Sequence, residues 1–489
     1  MTDSNDSGYA ITDSGQPIVI TGWGRSPSSS STRIDFGDTP ERYRSETLAR
    51  YISTLPPSHR IIARGLGRSY GDASLCAGGR FVSPEDLSHS FDFDPTTRRL
   101  RVSAGVSLDE IMRRLIPSGY FVPVTPGTRY VTIGGAIAAD IHGKNHHKDG
   151  SFAQHVTRMQ LVTASGPQEL KPADELFWAT AGGLGMTGII TEATIQMRRI
   201  PTSYMKVTTE RTPDLEETIV RMSSKDEQFQ YSVAWIDCLA TGSSLGRSVI
   251  TWADHAEVAD LSRKQTGDPF GYSPRTRLTA PDMTPSWLLN RASIKIFNEA
   301  WYRKAPVHAE TIETIPGYFH PLDGVAEWNR LYGKPGFLQY QFQIPFGTES
   351  VLRQIIERLS AARASSFLAV LKRFGPASPG LLSFPAPGWT LALDIPINDP
   401  RIASLLDGLD YLVAGAGGRV YLAKDSRVAK DLIPVMYPGL NEWAEIAHGA
   451  DPDYRFISDL GRRLELRKLP EPKASLLGTL ATRNRRGPN

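Results

Sequence analysis

Four glycine-rich stretches within the first 190 residues constrain the fold of this chain more than any other feature. They are Gly65–Gly71 in "RGLGRSYGD", residues 125–135 with "TPGT" and "TIGG", residues 140–147 ("DIHGKNHH") and residues 182–188 ("GGLGMTG"). Glycine allows the backbone to turn tightly, and its amide groups can converge on an anion. One large anionic ligand, in contact with several separate backbone segments, would explain all four stretches together.

The first stretch fits neither of the common nucleotide-binding loops. A Rossmann loop needs G-x-G-x-x-G at the start of a helix, but here the third glycine comes one position late and "DASLCAGGRFV" does not read as a helix. A P-loop needs Lys followed by Ser or Thr after its last glycine, and this pair is absent. Structural turns would account for any one stretch, whereas a flavin dinucleotide, with a pyrophosphate and a flat ring system, accounts for the set.

The remaining composition is that of a soluble enzyme with more than one domain. A length of 489 residues predicts two or three domains, and a net charge of +3 does not indicate a nucleic-acid-binding protein. Two cysteines, Cys76 and Cys238, cannot form a disulfide framework. No apolar run is long enough to span a membrane, and the polar N-terminus predicts no signal peptide of the usual kind.

The sequence changes in texture near residue 204, which predicts a domain boundary there. Before it, strand patterns such as residues 98–106 alternate with helical patterns, for example the one that follows Ser107, a predicted N-cap with Glu110 three residues on. After it, "QYSVAWID", "FLQYQFQIPF" and "GWTLALDIPI" read as strands of one sheet, and "TESVLRQIIERLSAARA" reads as an amphipathic helix. A proline-rich segment, about residues 258–306, is predicted to be a mobile lid that covers an apolar substrate or contacts a membrane, with an ordinary packed helix as the alternative.

The glycine motifs, together with "YLAKDSR" near the C-terminus, resemble a known family. They are similar to the PCMH-type FAD domain of the vanillyl-alcohol-oxidase superfamily and, within it, to the decaprenylphosphoryl-β-D-ribose oxidases of mycobacteria and their relatives. The resemblance implies an α+β fold with a PCMH-type FAD-binding domain and an antiparallel-sheet substrate domain. The expected division is a disordered segment 1–14, FAD-binding parts 15–203 and 419–470, a substrate domain 204–418, and a disordered tail 471–489.

The resemblance also implies the residues that contact FAD. They are Ala63, Arg64, Gly65, Leu66, Gly67, Arg68, Ser69, Tyr70, Gly71, Asp72, Ala73, Gly127, Thr132, Ile133, Gly134, Gly135, Ala139, Asp140, Ile141, His142, Ile190, Tyr421 and Lys424. Many superfamily members have G-x-G-H-S in the first loop, with the histidine bonded covalently to the flavin. Arg68 stands at that position here and cannot form the bond, so a non-covalent FAD is predicted.

The activity implied by the resemblance is oxidation of a ribose hydroxyl on a polyprenyl phosphate. The C2′ hydroxyl becomes a ketone, and a partner keto-reductase completes the epimerisation to the arabinose compound used in cell-wall arabinan synthesis. Lys424, Tyr70 and His142 are the candidate catalytic residues, because the reaction needs a cation beside the reduced flavin and a proton acceptor. From the residues alone, Lys424 could equally be a surface lysine paired with Asp425, and Tyr70 a core tyrosine.

The substrate site is expected to combine hydrogen-bonding and cationic side chains. The resemblance suggests Lys144, Trp235, Gln339, Gln341 and Lys372, since amides can bind ribose hydroxyls and lysines can bind a phosphate. A lipid-linked substrate also implies peripheral contact with membrane lipid. The absent signal peptide favours the cytoplasm, and the cell-envelope face stays open.

Two alternatives remain open at this point. An alditol or aldonolactone oxidase of the same superfamily would act on a soluble sugar, and a non-catalytic flavin-binding scaffold would have no use for Lys424. A nucleotide-dependent transferase is disfavoured, because the P-loop pattern is absent. The histidines at 142, 146, 147 and 155 raise the separate question of a metal site. No metal is expected, because Gly143 and Asn145 interrupt the helix that would align the first two histidines.

Overall fold

A computed structural model describes residues 10–87, 90–276, 278–281, 291–362, 364, 366, 368–397 and 399–467. It confirms the predicted α+β class, with helices packed on mainly antiparallel sheets. The strands of the first region are β1 (Thr12–Asp13), β2 (Ile18–Thr21), β3 (Ser28–Asp35), β4 (Ile61–Ala63), β5 (Arg80–Val82), β6 (Phe91–Asp94), β7 (Arg99–Ser103), β8 (Tyr120–Phe121), β9 (Val156–Thr163), β10 (Gly166–Leu170), β11 (Ile189–Gln196) and β12 (Arg198–Arg199). Its helices are α1 (Glu41–Thr54), α2 (Leu108–Leu115), α3 (Ile133–Ala138), α4 (His146–Asp149) and α5 (Glu175–Thr180).

Two five-stranded sheets form this first region. One has the order β1-β3-β5-β4 with β2 paired to β3, and β5 runs parallel to both of its neighbours. The other is antiparallel, with the order β10-β9-β11-β7-β6. The predicted cap of α2 is present, since the Ser107 hydroxyl accepts a hydrogen bond from the Glu110 amide at 3.2 Å.

An eight-stranded antiparallel sheet dominates the second region, in the order β17-β13-β15-β14-β20-β21-β19-β22. The strands here are β13 (Tyr204–Thr212), β14 (Tyr231–Ile236), β15 (Ser248–His255), β16 (Leu278–Thr279), β17 (His308–Thr314), β18 (Val325–Ala326), β19 (Phe337–Ile344), β20 (Ala369–Phe374), β21 (Gly388–Pro396) and β22 (Arg419–Val420). The helices are α6 (Leu215–Lys225), α7 (Arg263–Thr266), α8 (Arg291–Lys304), α9 (Ile315–Phe319), α10 (Glu349–Ala361) and α11 (Arg401–Gly415). After β22 come α12 (Ile433–Met436), α13 (Leu440–Ala450) and α14 (Asp459–Arg463). The three strands predicted for this region, β14, β19 and β21, do belong to one sheet.

The two faces of this large sheet have different roles. Helices α6, α10 and α11 cover one face, and α10 does so with a stripe spaced three to four residues apart: Leu352, Ile355, Ile356 and Leu359. Side chains alternate along a strand, so in β19 Tyr340 and Phe342 point into this core. Gln339 and Gln341 therefore point to the opposite face, which borders a cavity.

After β22 the chain returns to the first region. The Tyr70 amide donates to the Ala423 carbonyl at 3.3 Å, and the Ile61 amide donates to the Arg455 carbonyl at 2.9 Å. Both contacts join the C-terminal residues to segments near the first glycine-rich loop. Lys424 is thereby brought beside Tyr70.

The N-terminal boundary differs from the prediction. Residues 12 and 13, expected within a disordered segment 1–14, form strand β1 and pair with Asp35 and Ile34. Ile11 is only 8% exposed and packs against Ile34, so a short apolar anchor orders a sequence that is otherwise polar. Residues 1–9 and the predicted tail 471–489 lie outside the described residues.

The predicted lid, about residues 258–306, is in part an ordinary helix. Ile294 and Asn298 of α8 are buried, and the Asn298 amide donates to the Asp237 carboxylate at 2.8 Å. Ile296 and Trp301, in contrast, are 71% and 46% exposed. Residues 277 and 282–290 of the predicted lid lie outside the described part. Among all the described residues of the chain, no helix is both long enough and apolar enough to cross a bilayer.

Candidate active site

A cavity of about 580 Å³ lies between the glycine-rich loops and the uncovered face of the large sheet. All four glycine-rich stretches contribute to its wall, through Gly65, Gly127, Gly143 and Gly185 among others. A volume of this size is typical of cofactor and substrate sites in enzymes. The expected convergence of separate backbone turns is therefore what the structure shows.

The first glycine loop has two positions that only glycine fits. Gly67 has a φ of +66°, in the left-handed region that other residues rarely adopt. Gly71 lies so close to the Asp425 carbonyl oxygen that a Cβ atom there would collide with it. The loop that carries Tyr70 is thus packed directly on the loop that carries Lys424.

Arg68 is held by an aromatic contact at the cavity wall. Its guanidinium lies 3.7 Å from the centre of the Trp23 ring and 5.6 Å from that of Tyr130. Nε of Arg68 is buried and has no hydrogen-bond partner among the described residues. A cation with an unused donor suits an anionic or polar ligand group in the cavity.

Lys424 and Tyr70 form the centre of the site. The Lys424 ammonium lies 4.0 Å from the centre of the Tyr70 ring, and the Tyr70 hydroxyl accepts a hydrogen bond from Gln339 Nε2 at 3.1 Å. Burial lowers the pKa of Lys424 to about 7, with Asp394 opposing this shift and Lys372 adding to it. An amine whose pKa lies near neutral pH can accept a proton and then carry the positive charge.

His142 is a neutral imidazole in an aromatic setting. Burial lowers its pKa well below the usual value, and the charges of Lys372 and Lys424 act in the same direction. Its Nε2 accepts a hydrogen bond from the Gln341 amide at 3.0 Å, which leaves the proton on Nδ1, a buried atom with no partner among the described residues. The centre of the Phe374 ring lies 4.8 Å from the centre of the His142 ring. His142 can therefore donate a hydrogen bond but is a poor proton acceptor.

Two further lysines border the cavity, Lys144 from the third glycine-rich stretch and Lys372 from β20. Lys144 donates to the Tyr318 carbonyl at 2.5 Å and lies 3.8 Å from the centre of that ring. Burial lowers the pKa of Lys144 to about 7 and that of Lys372 to about 8. An anionic ligand would restore the charged form of both lysines, because an opposite charge nearby favours it.

Most of the predicted site residues line this one cavity. They are Ala63, Arg64, Gly65, Leu66, Gly67, Arg68, Ser69, Tyr70, Ala73, Gly127, Thr132, Gly134, Gly135, Ala139, Ile141, His142, Lys144, Ile190, Trp235, Gln339, Gln341, Lys372, Tyr421 and Lys424. Residues predicted for the cofactor and for the substrate thus share a continuous wall. Their assignment to one ligand or the other stays a prediction.

Four predicted cofactor residues, Gly71, Asp72, Ile133 and Asp140, do not line the cavity. Asp72 accepts two hydrogen bonds from Arg463, each at 2.9 Å. Asp140 accepts from the Ser151 hydroxyl and the Ala153 amide, also at 2.9 Å. Both carboxylates stabilise loops behind the cavity wall. Gly71 packs against the backbone of Asp425, and Ile133 is fully buried in the core.

The clustered histidines have separate partners. His146 Nδ1 accepts from the Gly375 amide, His147 Nε2 contacts the Asp226 carbonyl, and His155 Nε2 contacts the Asp149 carbonyl. Among the described residues, no group of three or more His, Cys, Asp or Glu side chains is placed to hold a metal ion.

Several other residues at the cavity were not among the predicted site residues. Trp23, Glu313 and Tyr318 line it, and so does Trp301, which belongs to the predicted lid. They come from a loop, a strand and two helices, without a local motif that sets them apart. Only the "GGLGMTG" stretch, of which no single residue was predicted, carried a usable signal for the wall formed by Leu184, Gly185 and Gly188.

The cavity suits a flavin nucleotide. Its glycine wall includes Gly127, where a Cβ atom would project into open space. The unpartnered Nε of Arg68 and Nδ1 of His142 offer donors, and Lys424 offers a cation. These groups match a ligand with a pyrophosphate and a polar ring edge.

Comparisons with known proteins agree with this arrangement. A family described as an FAD binding domain matches residues 50–169. Decaprenylphosphoryl-beta-D-ribose oxidase of Mycolicibacterium smegmatis is 41% identical over 452 residues, which cover 91% of this chain and 97% of that protein. An uncharacterised protein of Streptomyces coelicolor is 38% identical over 370 residues, 74% of this chain and 100% of the relative.

A more distant relative matches a smaller part. L-gulonolactone oxidase 2 of Arabidopsis thaliana is 24% identical over 159 residues, 30% of this chain and 27% of its own length. The chain is therefore an FAD-dependent oxidoreductase and belongs to the decaprenylphosphoryl-β-D-ribose oxidase family.

Proposed function

We propose that this enzyme oxidises the C2′ hydroxyl of decaprenylphosphoryl-β-D-ribose to the 2′-keto sugar. The family relationship over nearly the whole chain supports the substrate class. The observation that carries the proposal is the cavity wall itself, which Gln339, Gln341, Lys372 and Lys424 line together. Amides bind sugar hydroxyls and lysines bind phosphate, so the wall matches a phosphorylated sugar better than a free one.

Oxidation of the alcohol requires an acceptor for a hydride and an acceptor for a proton. FAD, when bound, supplies the two-electron acceptor for the hydride that leaves C2′. Lys424 is placed to take the hydroxyl proton, because its pKa of about 7 leaves part of it as the free amine at neutral pH. The resulting ammonium then balances negative charge in the cavity. The aromatic ring of Tyr70 lies against this amine.

Lys144 and Lys372 are assigned to the phosphate of the substrate. Repulsion by Lys372 adds to the burial that lowers the pKa of Lys144, and the charge of Glu313 opposes this shift. Burial lowers the pKa of Lys372. A phosphate beside the two lysines would favour their charged forms, and neutral alditols and lactones lack such a group.

The product defines the class of reaction that must follow. A 2′-keto sugar keeps its phosphate and its lipid, and reduction of the ketone from the opposite face gives the arabinose epimer. A partner keto-reductase is therefore part of the proposal. It would take over a lipid-linked intermediate.

Contact with membrane lipid is proposed to occur through α8. Ile296 and Trp301 are exposed on this helix, and Lys295, Arg303 and Lys304 surround them. Trp301 also lines the cavity, so this apolar and basic surface adjoins the site where a polyprenyl chain would leave. Such a combination is typical of helices that lie in a membrane interface.

The decisive experiment compares substrates under anaerobic conditions. Mixing the FAD-loaded enzyme with decaprenylphosphoryl ribose should bleach the flavin absorbance and yield a keto sugar, whereas free alditols and aldonolactones should not. The variant Lys372→Met should raise KM for the phosphorylated substrate more than it lowers kcat. Equal or faster bleaching by a free alditol or lactone would overturn the substrate assignment.

A further inference from the structure

A buried carboxylate, Asp394, lies immediately behind the proposed catalytic pair. Asp394 is in β21 directly opposite Gln339 in β19, and its side chain is fully buried. It is not part of the cavity wall and carries no motif in the sequence. Buried carboxylates are costly unless they interact with specific partners, so this position calls for an explanation.

A side-chain hydrogen bond joins Asp394 to the catalytic groups. Gln339 Nε2 donates to Asp394 Oδ1 at 2.6 Å and to the Tyr70 hydroxyl at 3.1 Å. Because both amide hydrogens of Gln339 are used in this way, the Tyr70 oxygen is an acceptor on that side. The hydroxyl proton of Tyr70 is therefore available for a hydrogen bond in another direction, and Tyr70 lines the cavity.

The charge of Asp394 also acts on Lys424. Attraction between the two groups favours the ammonium of Lys424 and the carboxylate of Asp394, against the burial that disfavours both. The Gln339 hydrogen bond to Oδ1 also favours the carboxylate form of Asp394, and Oδ2 has no hydrogen-bond partner among the described residues. The other titratable groups that face the pair are Tyr70, Tyr332, Lys372 and His142.

We propose that Asp394 is a positioning residue of the reaction, which orients the Tyr70 hydroxyl through Gln339 and makes Lys424 a stronger proton acceptor. The inference rests on the proposed function, in which Lys424 takes the proton of the substrate hydroxyl. As the proton arrives, the negative carboxylate stabilises the ammonium that forms. The other charge that acts on Lys424 among the described residues is the like charge of Lys372, which opposes protonation.

The test replaces the carboxylate with an amide of the same shape, Asp394→Asn. In the holoenzyme, the pH dependence of reductive methylation at Lys424, followed by mass spectrometry, reports the pKa of that amine without substrate. The midpoint should fall by about one pH unit or more, the size of shift that a nearby opposite charge produces. In turnover assays, the acidic limb of the kcat profile should move in the same direction, and kcat should fall by about tenfold while KM changes little.

The chain offers a matched control in Asp226. This carboxylate is also fully buried and accepts from Ser232 and Trp252 through Oδ1, but it does not line the cavity. Its Oδ2 has no hydrogen-bond partner among the described residues and lies 3.8 Å from Arg373 Nη1. Asp226→Asn should leave the Lys424 midpoint unchanged. Asp394→Glu should retain the wild-type midpoint, since it keeps the charge.

Two outcomes would overturn the proposal: an unchanged Lys424 midpoint in Asp394→Asn, or an equal change in Asp226→Asn. If Asp394→Asn does not fold, Gln339→Met provides the test. Loss of the Gln339 hydrogen bond raises the pKa of Asp394 and should lower the Lys424 midpoint in the same direction. Because the labelling needs no substrate, a wild-type enzyme that fails to oxidise the ribose lipid would disprove the proposed function separately.

Discussion

At the scale of single residues, Lys424 carries the sharpest prediction. Lys424→Met keeps the bulk of the side chain but removes the amine beside the Tyr70 ring. We expect kcat per bound flavin to fall by about 10²–10⁴-fold, the usual loss for a missing acid–base group. Lys430→Met is the matched control, because Lys430 is an exposed lysine six residues on that pairs with Glu465. Wild-type turnover in Lys424→Met would contradict the assignment.

Arg68 leads to a prediction about cofactor attachment. Its guanidinium, stacked on Trp23, can bind a flavin only through charge and hydrogen bonds. Acid precipitation of the yellow holoenzyme should therefore release all of its FAD into the supernatant, as measured by absorbance and mass spectrometry. Flavin that remains with the pellet after unfolding would show a covalent bond and contradict the prediction.

The sequence indicated the cavity residues better than it indicated their supports. Glycines and lysines in specific motifs were predictable, because a ligand contacts the local segment that carries them. Asp72 and Asp140 stand in the same motifs, yet they bind Arg463 and Ser151 behind the wall. Asp394 has no motif at all, since its role arises only from strand pairing with Gln339.

At the scale of elements, one arginine joins the two loops that carry Tyr70 and Lys424. Arg463 of α14 binds Asp72 at 2.9 Å and Asp425 at 2.8 Å. Arg463→Met should lower the free energy of unfolding by about 1–3 kcal/mol, less than for a fully buried pair because 28% of the arginine side chain is exposed. It should also weaken FAD affinity. Urea unfolding and flavin titration measure the two effects.

The neighbouring arginine provides the comparison for this variant. Arg462 pairs with Asp459 on the same helix, three residues apart, and is more exposed. Arg462→Met should change stability by less than about 1 kcal/mol, as expected for a surface ion pair. Equal effects of the two variants would show that Arg463 has no special role between the loops.

Helix α8 leads to a prediction about membrane contact. Ile296→Ser removes an apolar side chain that is 71% exposed. It should therefore reduce binding to vesicles of phosphatidylglycerol and phosphatidylcholine in about equal parts without lowering stability. Flotation of the protein with the vesicles measures this binding. Val220→Ser, at a residue that is 60% exposed on α6, should bind as the wild type does.

The elements themselves were largely predictable where one period dominates. Helix α10 and strands β19 and β21 follow from regular apolar spacing, because each packs one apolar face into the core. Strand β1 escaped prediction since two residues cannot show a period. Its order comes from Ile11, which packs under α1 and β3.

At the scale of the whole molecule, the site concentrates positive charge in a place where burial opposes it. Lys144, Lys372 and Lys424 have pKa values of about 7, about 8 and about 7, far below the value of about 10.4 in an unfolded chain. At a pH between the folded-state and the unfolded-state pKa values of these lysines, the unfolded chain binds more protons than the folded one. The stability of the FAD-free protein should therefore rise as the pH increases from about 7 to about 9.

Asp394 acts in the opposite sense at lower pH. Burial raises its pKa to about 7, so between about pH 4 and pH 7 the folded chain holds a proton that the unfolded chain has lost. Its contribution to stability thus falls as the pH rises through that range. Buried histidines such as His142, whose pKa burial lowers, make a contribution of the opposite sign in the same range.

Differential scanning calorimetry of the FAD-free and FAD-loaded protein tests this charge balance. The Tm of the FAD-free protein should increase between about pH 7 and about pH 9. Lys372→Met should show a smaller increase, because one buried lysine changes the free energy of unfolding by up to about 1.4 kcal/mol per pH unit. Bound anionic groups raise the lysine pKa values, so FAD should both raise Tm and flatten its pH dependence. Lys430→Met, at an exposed lysine outside the cavity, should retain the wild-type slope. A slope that is the same with and without FAD, and in Lys372→Met, would mean that the buried lysines do not compensate an anionic ligand.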